Sequence, residues 1–304
     1  MMNQANIISD LILWIEKNLE QPLSIDHVAE KSGYSKWHLQ RMFKKVTGQI
    51  LGTYIRNRRL THAALALKLT SKPILDIAMQ YRFDSQQTFT RSFKKQFNVT
   101  PATYRRKELW DPSGLMPPIE LNKTQLKLPE PSFVNFPEKA FWGITYKNNC
   151  SLNELLQHNA ILRGQFFVDY LAKYFKNNAA LPDKVYSFTR RYNDKDNLDE
   201  QQIFYTIAIE DNNIIENAQQ YTCHGGLYVC FKYIGPPTGL SAFVSQIYLE
   251  AISMLNVKLR LADVIEIHYN HSNLTPLSDV MDIRTFECDY CIPVILKDTP
   301  QDTK

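Results

Sequence analysis

The sequence predicts a multi-domain chain: an all-α N-terminal domain with two helix-turn-helix motifs joined by a linker helix, then an α+β domain of two β-α-β-β units. Three observations predict it. A helix-turn-helix pattern occurs twice, offset by about fifty residues, and such internal repeats define supersecondary units. The charge is split, with 18 Lys+Arg against 8 Asp+Glu in residues 1–110, which leaves 17 against 23 in the rest of the 304-residue chain. After a proline-rich stretch, helical periodicity gives way to apolar strand segments, and the order strand, helix, strand, strand recurs.

The first element spans Met1 to Leu19, where Ile7, Leu11, Trp14 and Ile15 share one face and acids are interspersed. This is an amphipathic helix rather than a signal peptide, and no apolar run reaches the roughly 20 residues of a membrane span. No membrane association is expected, and the protein is placed in the cytoplasm with the nucleoid. The repeat follows. Val28 and Ala29 match Ile77 and Ala78, Tyr34 matches Phe83, and Ser35 matches Ser85 once the inserted Asp84 is allowed for. Leu39, Arg41, Phe43, Lys44 and Lys45 then match Phe89, Arg91, Phe93, Lys94 and Lys95.

Each copy has a second helix with two contrasting faces. Leu39, Met42, Phe43 and Val46 recur at i, i+3, i+4, i+7 and form a buried stripe, while Trp37, Gln40, Arg41 and Lys44 repeat that spacing on the opposite side. In the second copy Phe89, Phe93 and Phe97 are the core positions. Gln87, Thr90, Arg91 and Lys94 face outward, with Gln86 at the start. Ser35 and Ser85 stand where an N-cap hydroxyl binds first-turn N–H groups. Between the copies, Thr53 to Leu69 carries Leu60, Ala64 and Leu67 at helical spacing, a linker helix of roughly 25 Å.

Helix signals end near Tyr104-Arg105-Arg106, giving a first domain over 5–107. Pro112, Pro117 and Pro118 then interrupt regular structure, so 108–124 reads as a linker. The second domain, 125–297, holds strands at Phe141 to Tyr146, Val185 to Arg190 and Ile203 to Ile209, with a helix marked by Leu152, Leu155, Leu162 and Phe166. The second unit repeats this as strand Leu227 to Ile234, a helix from Leu240 to Leu255, and strands Val264 to Tyr269 and Arg284 to Leu296.

Chemistry enters through the exposed helix faces. Arginine and glutamine make bidentate contacts with guanine and adenine edges in the major groove, and lysine neutralises phosphate. A single such side chain is ordinarily just solvated; two sets in register are not ordinary. The basic first domain suits a polyanion and the acidic second does not. Trp37 lies opposite the buried stripe, so a partner rather than the core accounts for it. All five cysteines (Cys150, Cys223, Cys230, Cys288 and Cys291) are in the second domain, and their odd number points to reduced thiols. Cys288 and Cys291, three apart on a strand, face opposite sides. Neither a metal site nor a cofactor is expected.

The doubled motif, with Ser35-Lys-Trp-His-Leu-Gln-Arg-Met-Phe and Ser85-Gln-Gln-Thr-Phe-Thr-Arg-Ser-Phe, resembles the AraC/XylS family of transcription regulators. The N-terminal position of the DNA module is similar to members that govern stress and multidrug-resistance promoters. The resemblance implies base contacts from Trp37, Gln40 and Arg41, and from Gln86, Gln87, Thr88 and Arg91. It also implies backbone contacts from Lys36, Lys44 and Lys94, to which Thr90 on the same face is added. Residues Gly226 to Gly235 and Asp263 to Tyr269 resemble a GyrI-like effector-binding domain, which implies a pocket for a lipophilic small molecule with Glu266, Tyr228 and Tyr269 as candidate contacts.

The expected partners are therefore double-stranded DNA at a promoter site of about 20 bp, RNA polymerase, and a lipophilic effector, with one chain bound as a monomer. Two alternatives stay open. The second domain would be a small-molecule hydrolase with Glu266 as base and Tyr269 beside it, or the chain would be an architectural nucleoid protein with little discrimination between DNA sequences.

Overall fold

A computed structural model describes residues 4–121, 128–151, 182–194, 196–210, 217–236, 239–269 and 286–297. The helix expected around Leu152 to Phe166 lies outside them. The chain divides into two compact units, 1–107 with 113–127, and 108–112 with 128–304. The stretch read as a linker over 108–124 is thus shared between them. Trp110 exchanges both backbone hydrogen bonds with Leu259 of the second unit, and Leu115 is buried in the first.

The first unit has seven helices among its described residues: α1 (Gln4–Lys17), α2 (Ile25–Ser32), α3 (Lys36–Thr47), α4 (Leu51–Leu69), α5 (Ile74–Gln80), α6 (Gln86–Phe97) and α7 (Pro101–Arg106). The repeat extends to the caps. The Ser35 and Ser85 hydroxyls accept from the backbone N–H of His38 and Thr88. Gly33, after α2, adopts a left-handed φ of 72°, and its counterpart Arg82 takes φ 62°. Gly48, after α3, is matched in the same way by Asn98 at φ 60°. Glycine does this without a Cβ penalty. Arg82 instead is held by its own Nε, which donates to the Glu20 carbonyl at 2.6 Å. Sequence similarity alone hides this match, because backbone conformation is kept while side-chain type is not.

Burial explains the arrangement of the helices. Leu39, Met42 and Phe43 of α3 pack with Ile8, Ile12 and Ile15 of α1, Val28 of α2 and Leu51, Tyr54 and Ile55 of α4 in one core. The second copy is held by a run of rings, Phe83, Phe89, Phe93, Phe97 and Tyr104, with centroids 4.4–5.5 Å apart. Each fully buried phenylalanine contributes about 2–3 kcal/mol. Helix α4, 19 residues or roughly 28 Å long, is buried on several sides: its N-terminal half serves the first copy and its C-terminal half, with Leu60, Ala63, Ala64 and Leu67, is buried beside the second.

A polar network fastens α1 to α4. Arg58, 4% exposed, donates from Nε and Nη2 to the Glu16 carboxylate, and Tyr54 donates to the same group at 2.6 Å. Arg58 Nη1 also donates to the Met116 carbonyl. Burial pushes the Glu16 carboxyl up, but the Arg58 hydrogen bond and charge outweigh it and hold the group below its usual range. His62, nearby, is lowered to about 4 by burial and by Arg58. An unfolded histidine takes its proton near 6.5, so between roughly 6.5 and 4 the unfolded chain holds more protons than the folded one. Stability therefore falls as pH falls through that window. We expect the melting temperature to drop from pH 7 to pH 4.5 and the drop to shrink in His62→Gln; an equal drop in that variant would assign the acid sensitivity elsewhere.

The second unit is one antiparallel sheet of nine strands among the described residues: β1 (Ser132–Phe136), β2 (Lys139–Ser151), β3 (Lys184–Asn193), β4 (Glu200–Ile209), β5 (Gln219–Cys223), β6 (Gly226–Gly235), β7 (Val257–Leu259), β8 (Val264–Tyr269) and β9 (Phe286–Leu296). Its order is β1-β6-β9-β8-β3-β4-β2-β5, with β7 on β9. The tandem units are visible in that order. Strands β3-β4-β2 and β8-β9-β6 are the same succession in each half, meeting at the β3–β8 pair, which runs Lys184↔Tyr269 to Thr189↔Val264. A helix, α8 (Leu240–Gln246), continues through a π-helical turn at Ile247–Ala251 to Ile252–Met254.

Two residues join β1 to β2, although these strands stand at opposite regions of the order, and two join β5 to β6. The sheet must curl until its ends meet. Gly225 marks the contact: a Cβ there would lie 2.4 Å from the Phe136 carbonyl oxygen. Inside the curl pack Phe141, Tyr186, Phe188, Tyr228, Ile265 and Ile267, with Val134, Phe136 and Tyr221 at the margin. The outer face, including Val229, Phe231, Tyr290 and Val294, packs against α8. Cys230 and Cys291 lie directly opposite across β6–β9 and are joined by a disulfide, whereas reduced thiols are expected from the sequence. An odd cysteine count cannot show strand register, and register is what brings this pair together. Cys150, Cys223 and Cys288 remain thiols.

Candidate nucleic-acid interface

The exposed faces of α3 and α6 carry the predicted DNA contacts. On α3, Lys36, Trp37, Gln40, Arg41 and Lys44 are all exposed, and the period of 3.6 residues keeps them clear of Leu39, Met42 and Phe43 beneath. Trp37 is 68% exposed, so it lies on the outside, away from the core. The Arg41 guanidinium sits over its ring at 5.3 Å, a cation–π contact between residues four apart. That contact preorders the arginine, and a side chain already ordered loses less rotamer entropy on binding any ligand. Lys36 pairs with Asp26 of α2, both exposed. Such a surface pair is weak and yields readily to a phosphate.

On α6, Gln86, Gln87, Thr90, Arg91 and Lys94 together line one shallow concavity. Four of them are exposed and Thr90 is half-buried. All come from one helix face, so the concavity is the furrow between their side chains. Thr88 is exposed but set apart from it: its hydroxyl lies 3.1 Å from Ser85 Oγ and its N–H binds the same cap. Its hydroxyl already serves the helix start, which lessens its scope for base contact. At matched positions the two helices offer Trp37 and Gln87, Gln40 and Thr90, Arg41 and Arg91, Lys44 and Lys94. The arginines and lysines repeat, whereas the intervening chemistry does not.

The candidate effector contacts are not brought together. Tyr228 and Tyr269 belong to the inner cluster of the curl. Glu266 lies on β8 between Ile265 and Ile267, which face inward, so alternation turns it to the outer face, where it is completely buried. Glu266 therefore lies on the opposite face of the sheet from Tyr228 and Tyr269. The tyrosines have other partners. Tyr269 donates to Asp289 at 2.6 Å, with Lys232 over its ring at 5.0 Å, and Arg260 lies 4.8 Å over the ring of Tyr228. Burial pushes the Tyr228 hydroxyl up to about 12. Around Glu266, sequence reasoning missed His268, whose Nε2 lies 3.4 Å from the carboxylate. Spacing held a signal for it, because residues two apart on a strand share a face.

Residues 28–107 match the model of a helix-turn-helix domain, and 129–295 that of a GyrI-like small molecule binding domain. The chain is 43% identical over 298 residues to transcriptional regulator Rob of Salmonella typhimurium, covering 96% of this chain and 99% of that protein. It is 44% identical over 298 residues to the right origin-binding protein of Escherichia coli, with the same coverage of 96% and 99%. Regulatory protein SoxS of Escherichia coli matches at 58% over 106 residues, which is 35% of this chain and 99% of that one. Among the described residues, no helix is long and apolar enough to cross a membrane.

Proposed function

The chain belongs to the family of AraC-type transcription regulators that join a double helix-turn-helix to a GyrI-like small molecule binding domain, and from this premise we propose that one chain reads one asymmetric promoter site. The single observation that carries the reading is the pair of exposed faces on α3 and α6, alike in Arg41 and Arg91 but unlike around them. Helices set about one helical turn apart would cover a site of roughly 20 bp. Arg41 and Arg91 read bases, with Trp37, Gln40, Gln86 and Gln87 beside them and Thr88 as a lesser contact. Lys36, Lys44, Thr90 and Lys94 hold the backbone. A site of fixed polarity orients the bound chain for RNA polymerase at promoters of the stress and multidrug-resistance type. No second copy is needed.

The GyrI-like unit senses a lipophilic small molecule. Because the inner and outer faces hold different candidates, an effector engages either Tyr228 and Tyr269 or Glu266, and alanine or glutamine at each separates the two in a binding titration.

Competition tests the main reading: a specific duplex should outcompete random DNA by at least about 10³-fold at physiological salt. A ratio near one would favour the architectural alternative. Lys94→Ala should weaken specific and random binding alike and lower the dependence of log K on log salt by about 1. An unchanged slope would remove Lys94 from the phosphate contacts.

A further inference from the structure

On the outer face of the sheet the pairing of β8 with β9 sets His268 directly opposite Cys288. Glu266, two residues before His268, projects from the same face. The Glu266 carboxylate, a ring nitrogen of His268 and the Cys288 sulfur all lie within 4.8 Å of one another. Glu266 and Cys288 are fully buried and His268 is 7% exposed. We propose that these three side chains bind one thiophilic divalent cation of the zinc class, making the second unit of this regulator a metal-responsive one.

The donor set selects the ion. A thiolate, an imidazole and a carboxylate are the ligands of zinc, whereas calcium and magnesium take oxygen donors alone. Three protein ligands leave a fourth tetrahedral position for an outside ligand. With metal–ligand bonds of about 2.0–2.3 Å, donors of a tetrahedral site stand roughly 3.3–3.8 Å apart. The His268–Glu266 separation of 3.4 Å already fits, and the remaining closure, of about an ångström, is within reach of side-chain rotation. On binding, the metal supplies two positive charges to this buried group as Cys288 gives its proton to solvent. The other thiols do not compete: Cys223 belongs to the inner cluster, and Cys150 is absent from the group.

Cobalt(II) is the probe, added to the full chain after chelation, with the Cys230–Cys291 disulfide left intact. The expected result is uptake of one equivalent, with a thiolate-to-cobalt absorption band and the visible bands of a tetrahedral site, all reversed by Zn²⁺. Cys288→Ser should abolish the thiolate band and His268→Gln should weaken binding at least about 10-fold, while Cys150→Ser and Cys223→Ser retain the band. No saturable uptake by the wild-type chain, or a thiolate band persisting in Cys288→Ser, overturns the proposal. Should Cys288→Ser fail to fold, alkylation of the wild-type chain decides. Zn²⁺ should protect Cys288 and leave Cys150 and Cys223 unchanged, and protection of either of those in its place, or of none, overturns it.

Discussion

Alanine at both Arg41 and Arg91 is expected to remove about 2–6 kcal/mol of affinity for the specific site, because each bidentate base contact contributes about 1–3 kcal/mol. The two residues lie on different recognition helices, so their effects should add. Binding to random DNA loses only two cationic charges, and the ratio of specific to random affinity is the quantity to measure. We expect that ratio to fall by about 30-fold to 10⁴-fold. Arg41→Lys is a stringent companion, since it keeps the charge but not the planar fork, nor its fit over Trp37. If it binds the specific site as tightly as wild type, Arg41 acts on phosphate and the base-reading role is wrong.

Arg58→Ala is the second large effect, at about 3–5 kcal/mol of unfolding free energy for the first unit. Its guanidinium is enclosed and makes a two-pronged contact with Glu16. Removal leaves a carboxylate and the Tyr54 hydroxyl facing a hole, with the Met116 carbonyl losing its donor. Breaking one side of an enclosed pair costs more than removing both, so Glu16→Gln combined with Arg58→Met should be milder than Arg58→Ala alone. Urea melts of the three variants check this. A loss below about 1 kcal/mol for Arg58→Ala would reduce the network to a surface pair.

The first unit was legible because its signals are local. Serine caps, apolar stripes and the repeat lie within windows of a dozen residues, and α2, α3, α5 and α6 formed where that spacing placed them. Arg82 and Asn98 were not read as turn positions, because left-handed backbone is expected of glycine and these residues accept it under tertiary hydrogen bonds or as tolerated exceptions. In the second unit, the longer strands followed from composition, but β1, β5 and β7 are short and owe their pairing to distant partners. The faces on which the effector candidates lie were hidden for the same reason. Glu266 and Tyr269 are three apart on one strand and alternation alone separates them, while the side to which Tyr228 turns depends on register with β9. The cluster of His268 and Cys288 beside Glu266 likewise exists only through pairing across roughly twenty intervening residues.

The asymmetric, single-chain reading of DNA is tested most directly by hydroxyl-radical footprinting of one promoter duplex with wild type, Arg41→Ala and Arg91→Ala. Two protected patches about one helical turn apart are predicted, with each substitution weakening protection in a different patch and the stoichiometry remaining one chain per site. Protection that is two-fold symmetric, or that both substitutions weaken in the same patch, would contradict it.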